Sequence, residues 1–233
     1  MSDFDLDSDL LDFLVQQHQP GDRLPTISEL QAKHLGLSVS KLREQLEVAR
    51  ALGFVEVRSK TGMKMRAYSF APAVSLSLRY ALALDWHYFE QFTALRNRIE
   101  AAFWDDACKT LTSDDFQIMR DCVDAARRKL QSENIRIPND EHRTFHLTVF
   151  SHLDNPFVTG ILEAYWDAYK AVEVHRYHDY ADLIQVWDYH ARIVAALETG
   201  DIAGAKALLV EHTQLIRFQP EQRNGRANPD EKP

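Results

Sequence analysis

Two histidines, His142 and His146, lie four residues apart in a segment with helical periodicity. On an α-helix this spacing places both side chains on one face, one turn apart. Neutral imidazoles arranged in this way can bind one metal ion, each at about 2.0–2.1 Å for zinc. His190 and His212 lie on the last two predicted helices, and facing helices of a bundle can bring such side chains together. The four histidines therefore predict a metal site, although histidines on separate helices are also common as ordinary core or surface residues.

A histidine-bound metal could also activate water in a metalloenzyme. The His-Glu-x-x-His pattern of such enzymes is absent from the sequence. Glu141 precedes His142 rather than following it, so no general base has an obvious place. We therefore expect a protein that is not an enzyme.

The first 70 residues have a different character from the rest of the chain. Residues 8–18, 26–35 and 38–52 show helical spacing, whereas residues 54–58 and 63–68 alternate like strands. Helix, helix, tight turn, helix and a two-stranded hairpin are the element order of a winged helix-turn-helix. We predict that residues 1–70 form this domain.

The charge pattern supports a role for this module in binding DNA. Residues 20–70 carry nine basic and five acidic side chains, whereas residues 71–219 carry fifteen basic and twenty-two acidic ones. The third helix can lie in the major groove, and the hairpin can approach the phosphates. A solvated basic face is the alternative interpretation. The candidate DNA contacts are Ser38, Ser40, Lys41 and Arg43 on the helix, with Arg58, Lys60 and Lys64 on the hairpin.

Residues 71–219 contain no strand pattern and predict an antiparallel all-helical bundle of about seven helices, which makes the whole chain mostly α. We expect a linker at Ser69–Pro72, and Ser113 as the N-cap of the third bundle helix. The polar tail, residues 220–233, is expected to be disordered. The predicted helices span about 73–83, 85–109, 113–131, 138–153, 157–175, 180–198 and 201–218.

The composition of the chain indicates in which surroundings the protein is expected to work. The chain has 233 residues, of which 45% are hydrophobic and 27% charged, with a formal net charge of −8. No run of 18 apolar residues exists, so we expect no membrane span. The start of the chain is acidic and only two cysteines are present, which favours a protein of the reducing cytoplasm.

Several short motifs of the first 70 residues resemble the DNA-binding domain of GntR-family transcription regulators. They are Pro20-Gly-Asp-Arg-Leu-Pro-Thr-Ile-Ser-Glu-Leu, Leu35-Gly-Leu-Ser, Leu42-Arg-Glu-Gln-Leu and Leu52-Gly-Phe-Val-Glu-Val. Arg43 matches a family arginine. The FadR branch usually has arginine at the positions of Ser28 and Val39, so the resemblance implies an altered operator and weaker DNA binding.

The bundle resembles the FCD domain, the ligand-binding domain of FadR-type regulators. The matching motifs are Leu95-Arg-Asn-Arg-Ile-Glu, Phe145-His146 followed by Asn155-Pro156, and His190 followed by Ala195-Ala-Leu-Glu-Thr-Gly-Asp, Ala205 and His212. Many FCD domains bind a divalent metal through one aspartate and three histidines.

By this resemblance, His146, His190 and His212 take the histidine positions and His142 takes the aspartate position. A fourth imidazole in place of a carboxylate favours zinc, with nickel or copper possible, over manganese or magnesium. Arg96 matches an arginine that faces the same pocket, where it could hold a carboxylate, although Glu100 at i+4 could instead pair with it. Asn155 could reach the pocket or cap a helix.

These features predict a ligand-responsive repressor that binds double-stranded DNA. We expect a homodimer on a palindromic operator, and a small carboxylate as effector. The alternative is a metal-responsive regulator in which the ion itself is the effector, since four histidines suffice for that function without any acid.

Overall fold

The computed structural model describes residues 5–171, 180–213 and 215. Its internal contacts divide the chain into two units. One unit contains residues 1–89 and 154–168, and the other contains residues 90–153 and 169–233. The predicted tail at 220–233 and the predicted helical residues 172–175, 214 and 216–218 lie outside the described residues. Within the described part, no helix is both long and apolar enough to cross a membrane.

The first unit begins with the predicted winged helix-turn-helix. An antiparallel hairpin follows the helices, with Val55 paired to Met65 and Arg58 to Gly62. Gly62 has a φ of 77°, a left-handed conformation that glycine adopts without strain. The elements are α1 (Asp9–Gln17), α2 (Ile27–Glu29, continuing as a π-helical turn over Leu30–Leu35), α3 (Val39–Ala51), β1 (Val55–Arg58) and β2 (Gly62–Met65).

The core of this module is made by the apolar faces of its helices and by the inner side of the hairpin. Leu42 and Ala49 of α3 are buried together with Leu10 of α1 and Val55 of β1. The cap residues predicted for α2 are present, since Thr26 and Glu29 form a reciprocal capping box. Apolar periodicity and caps thus explain this part of the fold.

The second half of the predicted helix at 26–35 is not α-helical, which corrects that expectation. Leu30–Leu35 is wound as a π-helix and ends at the left-handed Gly36. In a π-helix, each residue and the fifth residue after it lie on the same side of the helix. Leu35 therefore packs against the same core as Leu30.

The first unit also contains α4 (Ala71–Leu84) and most of α8 (Pro156–Ala171). Helix α4 starts earlier than predicted, because Pro72 fits the first helical turn, where its missing N–H leaves no bond unmade. A Cβ atom at Gly160 of α8 would lie 2.7 Å from the backbone nitrogen of Ala71, so only glycine allows this approach.

The second unit is all-helical over its described residues. Helix α6 packs against α7 and α9, and α9 packs against α10 as a hairpin that turns at Gly200. The seven helices α4 to α10 confirm the predicted helical fold class. The remaining bounds are α5 (Tyr88–Cys108), α6 (Ser113–Leu130), α7 (Asn139–Val149), α9 (Tyr180–Glu198) and α10 (Ile202–Thr213).

One predicted helix cap is wrong. Thr112, not Ser113, is the N-cap of α6, and its hydroxyl accepts a hydrogen bond from the backbone of Asp115. The Asp115 carboxylate in turn accepts a bond from the backbone N–H of Thr112, which completes a capping box. Asp115 also lies 2.9 Å from Nε2 of His152. The extended backbone of Thr112 selects it as the cap, and Ser113 is already helical.

Candidate metal centre and nucleic-acid interface

The four predicted histidines come together inside the second unit. His142 and His146 lie one turn apart on α7, and His190 and His212 lie on α9 and α10. His190 is ten residues before Gly200 and His212 twelve after it, so the hairpin brings them to similar heights at 1.5 Å of rise per residue. The ring centroids of His190 and His212 are 4.6 Å apart.

The geometry of the cluster suits a divalent ion. One nitrogen from each histidine can be chosen so that all four lie within 4.8 Å of one another. A tetrahedral zinc ion would hold neighbouring nitrogens about 3.3 Å apart, given bonds of about 2.0–2.1 Å. The Nε2 atoms of His146 and His190 are already 3.1 Å apart. Small side-chain rotations would therefore bring the nitrogens to metal-binding distance.

The surroundings favour the neutral form of three of these imidazoles, the form in which histidines bind metals. Burial lowers the pKa of His146, His190 and His212 well below the usual value, and the positive charge of Arg96 lowers each further. All four histidines are buried, His142 included. The rings of Phe145 and Trp187 pack against His190, with centroids 4.4 and 4.7 Å away, and form part of the apolar wall around the cluster.

Arg96 lies beside this cluster on α5 and is only 1% exposed. Its Nη2 atom is 2.8 Å from Oε1 of Glu100 and 2.8 Å from Nδ1 of His146. The ion pair expected from the i+4 spacing is therefore present, and it is buried rather than solvated. Burial raises the pKa of Glu100, and the neighbouring Arg96 opposes that rise.

The candidate DNA contacts lie in the first unit, and all seven are exposed. Ser38 is the N-cap of α3, where its hydroxyl accepts a bond from the backbone of Lys41 at 3.2 Å. The N-terminal amides of such a helix favour a phosphate. Ser40 and Arg43 follow on the outer surface of α3, while Leu42 faces the core.

Two of the basic side chains are paired with acids of their own element. Nη2 of Arg58 lies 2.7 Å from Oε1 of Glu56, and Nζ of Lys41 lies 3.7 Å from Oε2 of Glu44. These pairs are exposed and weak, so a phosphate can displace the carboxylates. The remaining three, Arg43, Lys60 and Lys64, form no ion pair within the described part of the chain.

A family model described as the FCD domain matches residues 91–215, which is more than half of the chain. The chain belongs to the FCD family. The matched FCD segment includes all four histidines and Arg96, so the candidate metal centre is part of the family domain.

A curated relative supports the same assignment. The HTH-type transcriptional regulator LutR of Bacillus subtilis (strain 168) is 22% identical over 202 residues, covering 83% of this chain and 89% of LutR. Together with the FCD match, this confirms the predicted GntR-family regulator with an FCD domain. Such regulators are not enzymes, so the metalloenzyme alternative is excluded.

Two solved structures align with most of this chain. Streptococcus agalactiae GntR aligns with a TM-score of 0.64 at 17% identity, covering 89% of this chain and 94% of that protein. E. coli McbR/YncC aligns with a TM-score of 0.47 at 18% identity, covering 84% and 85% of the two chains. The first alignment confirms the combination of a winged helix-turn-helix with a helical FCD domain.

Asn155, the other predicted ligand residue of the FCD domain, acts in the structure as a helix cap. Its Oδ1 atom accepts bonds from the backbone nitrogens of Phe157 and Val158 at 3.1 and 3.2 Å. It belongs to the first unit, whereas the histidines belong to the second. Its role towards a ligand stays a prediction.

Two residues that the sequence did not predict as site residues lie beside these sites: Glu100, which was expected only as a partner of Arg96, and Arg23. Glu100 lies 3.3 Å from His146, a contact between α5 and α7 that no sequence motif reveals. Arg23 pairs through its backbone with Lys64, and its guanidinium lies near Gly62 at the hairpin turn. Arg23 is one of the nine basic residues between positions 20 and 70, but only the fold shows that it lies beside the hairpin.

Proposed function

We propose that this regulator is a repressor whose DNA binding is controlled by a small organic acid bound at a metal ion in the FCD domain. The observation that carries the proposal is the buried cluster of four histidines with Arg96 beside it. It supports a single divalent ion, zinc in the first place and nickel in the second, because all ligand atoms are imidazole nitrogens. The branch of the family, FadR, is proposed from the motifs alone.

The charge of the centre favours an anionic effector. Four neutral imidazoles leave the two positive charges of the ion uncompensated, and the Arg96–Glu100 pair adds no net charge. Removing such charge from water is costly unless an anion accompanies it. A carboxylate bound at a fifth or sixth coordination position would supply that anion, with Arg96 close by.

The four-histidine set also supports a second candidate function. Four protein ligands complete a tetrahedral zinc site, which then has no open position for an acid. In that case the ion itself would be the effector, and its binding would change the affinity for DNA. The two functions differ in whether an acid has any effect on the metal-loaded protein.

The DNA-binding part of the proposal assigns phosphate and base contacts to α3 and to the hairpin. Ser38, Ser40, Lys41 and Arg43 would lie along the major groove, and Arg58, Lys60 and Lys64 at the flanking phosphates. A homodimer would place two such modules on a palindromic operator in the cytoplasm. A footprint over promoter fragments should therefore show two protected half-sites, and the absence of any protected palindrome would overturn this part.

Fluorescence anisotropy on the operator found by footprinting separates the two functions. The protein is measured without metal, with zinc, and with zinc plus mono-, di- and tricarboxylic acids. An acid that weakens DNA binding at least tenfold only in the presence of zinc supports the leading function. A response to zinc that ignores every acid supports the metal sensor. His87→Ala, far in sequence from the centre, is the matched control for His146→Ala, which should abolish either response.

A further inference from the structure

The segment 21–24, which precedes α2, lies along the edge of β2 that β1 leaves open. Backbone hydrogen bonds of 2.8 to 2.9 Å join this segment to Met63 and Met65 of β2. Within it, Arg23 stands opposite Lys64 in an antiparallel bridge. The outer surface of the hairpin is therefore widened by one further residue, and that residue is basic and exposed.

The bridge brings the side chains of Arg23 and Lys64 close together. Its backbone bonds come from the residues on either side of the two, so they form a non-hydrogen-bonded pair. In pairs of this kind the Cα atoms are only about 4.5 Å apart and the side chains are closest. Leu24 and Met63, the sequence neighbours of the pair, are buried. Because side chains alternate along an extended chain, Arg23 and Lys64 both point outward on the same face.

This pair of positive charges has no acid to neutralise it within the described part of the chain. Glu56 is the residue of β1 that faces Lys64, but its Oε1 atom lies 2.7 Å from Nη2 of Arg58. Neither Arg23 nor Lys64 forms an ion pair with a described residue. Like charges directly opposite each other destabilise a sheet. A bound anion would remove this repulsion.

The guanidinium of Arg23 is directed towards the turn of the hairpin. A Cβ atom at Gly62 would lie 3.7 Å from both Nε and Nη2 of Arg23, so the guanidinium lies over the glycine. Gly62 begins β2 directly after the turn that carries Lys60. The charge of Arg23 therefore lies at the end of the hairpin that is proposed to approach the phosphates.

We propose that Arg23 and Lys64 together bind a phosphate of the DNA backbone, which makes Arg23 a DNA contact outside both α3 and the hairpin. This inference rests on the proposed DNA binding by the winged module. The planar guanidinium can bind a phosphodiester through two parallel hydrogen bonds, and Lys64 adds a compact charge. Such contacts position the protein on the duplex without reading its sequence.

The test is fluorescence anisotropy of the full chain at several salt concentrations, on a duplex of arbitrary sequence and on the operator found by footprinting. Arg23→Gln should reduce the slope of log affinity against log salt by about one on both duplexes, because one phosphate contact is lost. Arg23→Lys keeps the charge and should retain the slope. Arg128→Gln, at an exposed position of α6 in the second unit, is the control and should bind like the wild type.

A purely structural role of Arg23 makes a different prediction. If Arg23 only holds its segment against the hairpin, Arg23→Gln lowers the free energy of unfolding and leaves the salt slope unchanged. If the pair binds phosphate, loss of the repulsion keeps the free energy of unfolding without DNA unchanged or raises it, as urea unfolding measures. Weaker DNA binding with an unchanged slope would therefore overturn the inference.

The result also separates this inference from the proposed function. If the wild type binds DNA and Arg23→Gln has the same affinity and slope, the role of Arg23 is wrong and the other proposed contacts are unaffected. A wild-type protein that binds neither duplex would overturn the proposed DNA binding as well.

Discussion

The two candidate sites of this protein are built in opposite ways. The proposed DNA contacts of the winged module are exposed, and two of them pair with acids of their own element. The proposed metal ligands of the FCD domain are buried and lie among aromatic rings and other imidazoles. Charge at an exposed site is screened by water and salt, whereas a group at a buried site must find partners or stay neutral. Substitutions of single residues should therefore have moderate effects on DNA binding and much larger effects on metal binding.

The largest effect should come from His190→Leu, which replaces a 0% exposed ligand by an apolar side chain. Zinc affinity should fall more than 100-fold, since one of four metal bonds is lost. The metal-free protein should change little in stability, because the substitution removes a buried ring nitrogen, Nδ1, without a described partner but also the contact of Nε2 with His146. Zinc titration and urea unfolding measure the two quantities. An unchanged zinc affinity would show that the buried cluster is not the metal site.

The second largest effect should be a dependence of the stability of the metal-free protein on pH. Burial lowers the pKa of His190 and His212 in the folded state, while in the unfolded chain both take up protons near pH 6.5. The unfolded state therefore binds more protons, and the stability present above about pH 6.5 falls as the pH is lowered further. Urea unfolding at several pH values should show this fall. The double variant His190→Leu/His212→Leu should show a shallower fall, and equal slopes would contradict the burial argument.

Substitutions in the winged module should be milder and should leave zinc binding unchanged. Arg43→Ala removes a proposed base contact and should cost about 1–3 kcal/mol of operator binding. Lys60→Ala removes a proposed phosphate contact and should lower the slope of log affinity against log salt by about one. Anisotropy at several salt concentrations measures both. If the wild type and Lys60→Ala have identical operator affinities and identical salt slopes, the hairpin is not part of the DNA interface.

The smallest effect should come from Asn155→Ala. Loss of the cap of α8 should reduce the free energy of unfolding by about 1 kcal/mol. If Asn155 acts only as a cap, the response of DNA binding to acids should not change. A lost response with unchanged zinc affinity would instead support the ligand role that the family motif implies.

The sequence predicts much of the fold because its local signals agree with the packing. The capping box at Thr26 and Glu29 is present as expected, and the bundle helices begin and end within four residues of the predicted bounds wherever the described residues allow the comparison. The π-helical winding of Leu30–Leu35 and the cap at Thr112 were missed. Both depend on how one turn packs or on the backbone of one residue, which spacing alone does not determine.

The residues of the candidate metal centre also differ in whether the sequence predicts them. The i,i+4 spacing of His142 and His146 is a local signal, and the family motifs add His190 and His212. The contact of Glu100 with His146 joins positions 46 residues apart on two helices, so only the tertiary structure reveals it.

The most direct test of the central claim is the metal content of untagged protein purified without chelator, measured beside His146→Ala and His87→Ala. We expect about one zinc or nickel ion per chain in the wild type and in His87→Ala, and none in His146→Ala. A wild type without metal, or a His146→Ala variant that retains it, would contradict the claim that the four histidines form the metal centre.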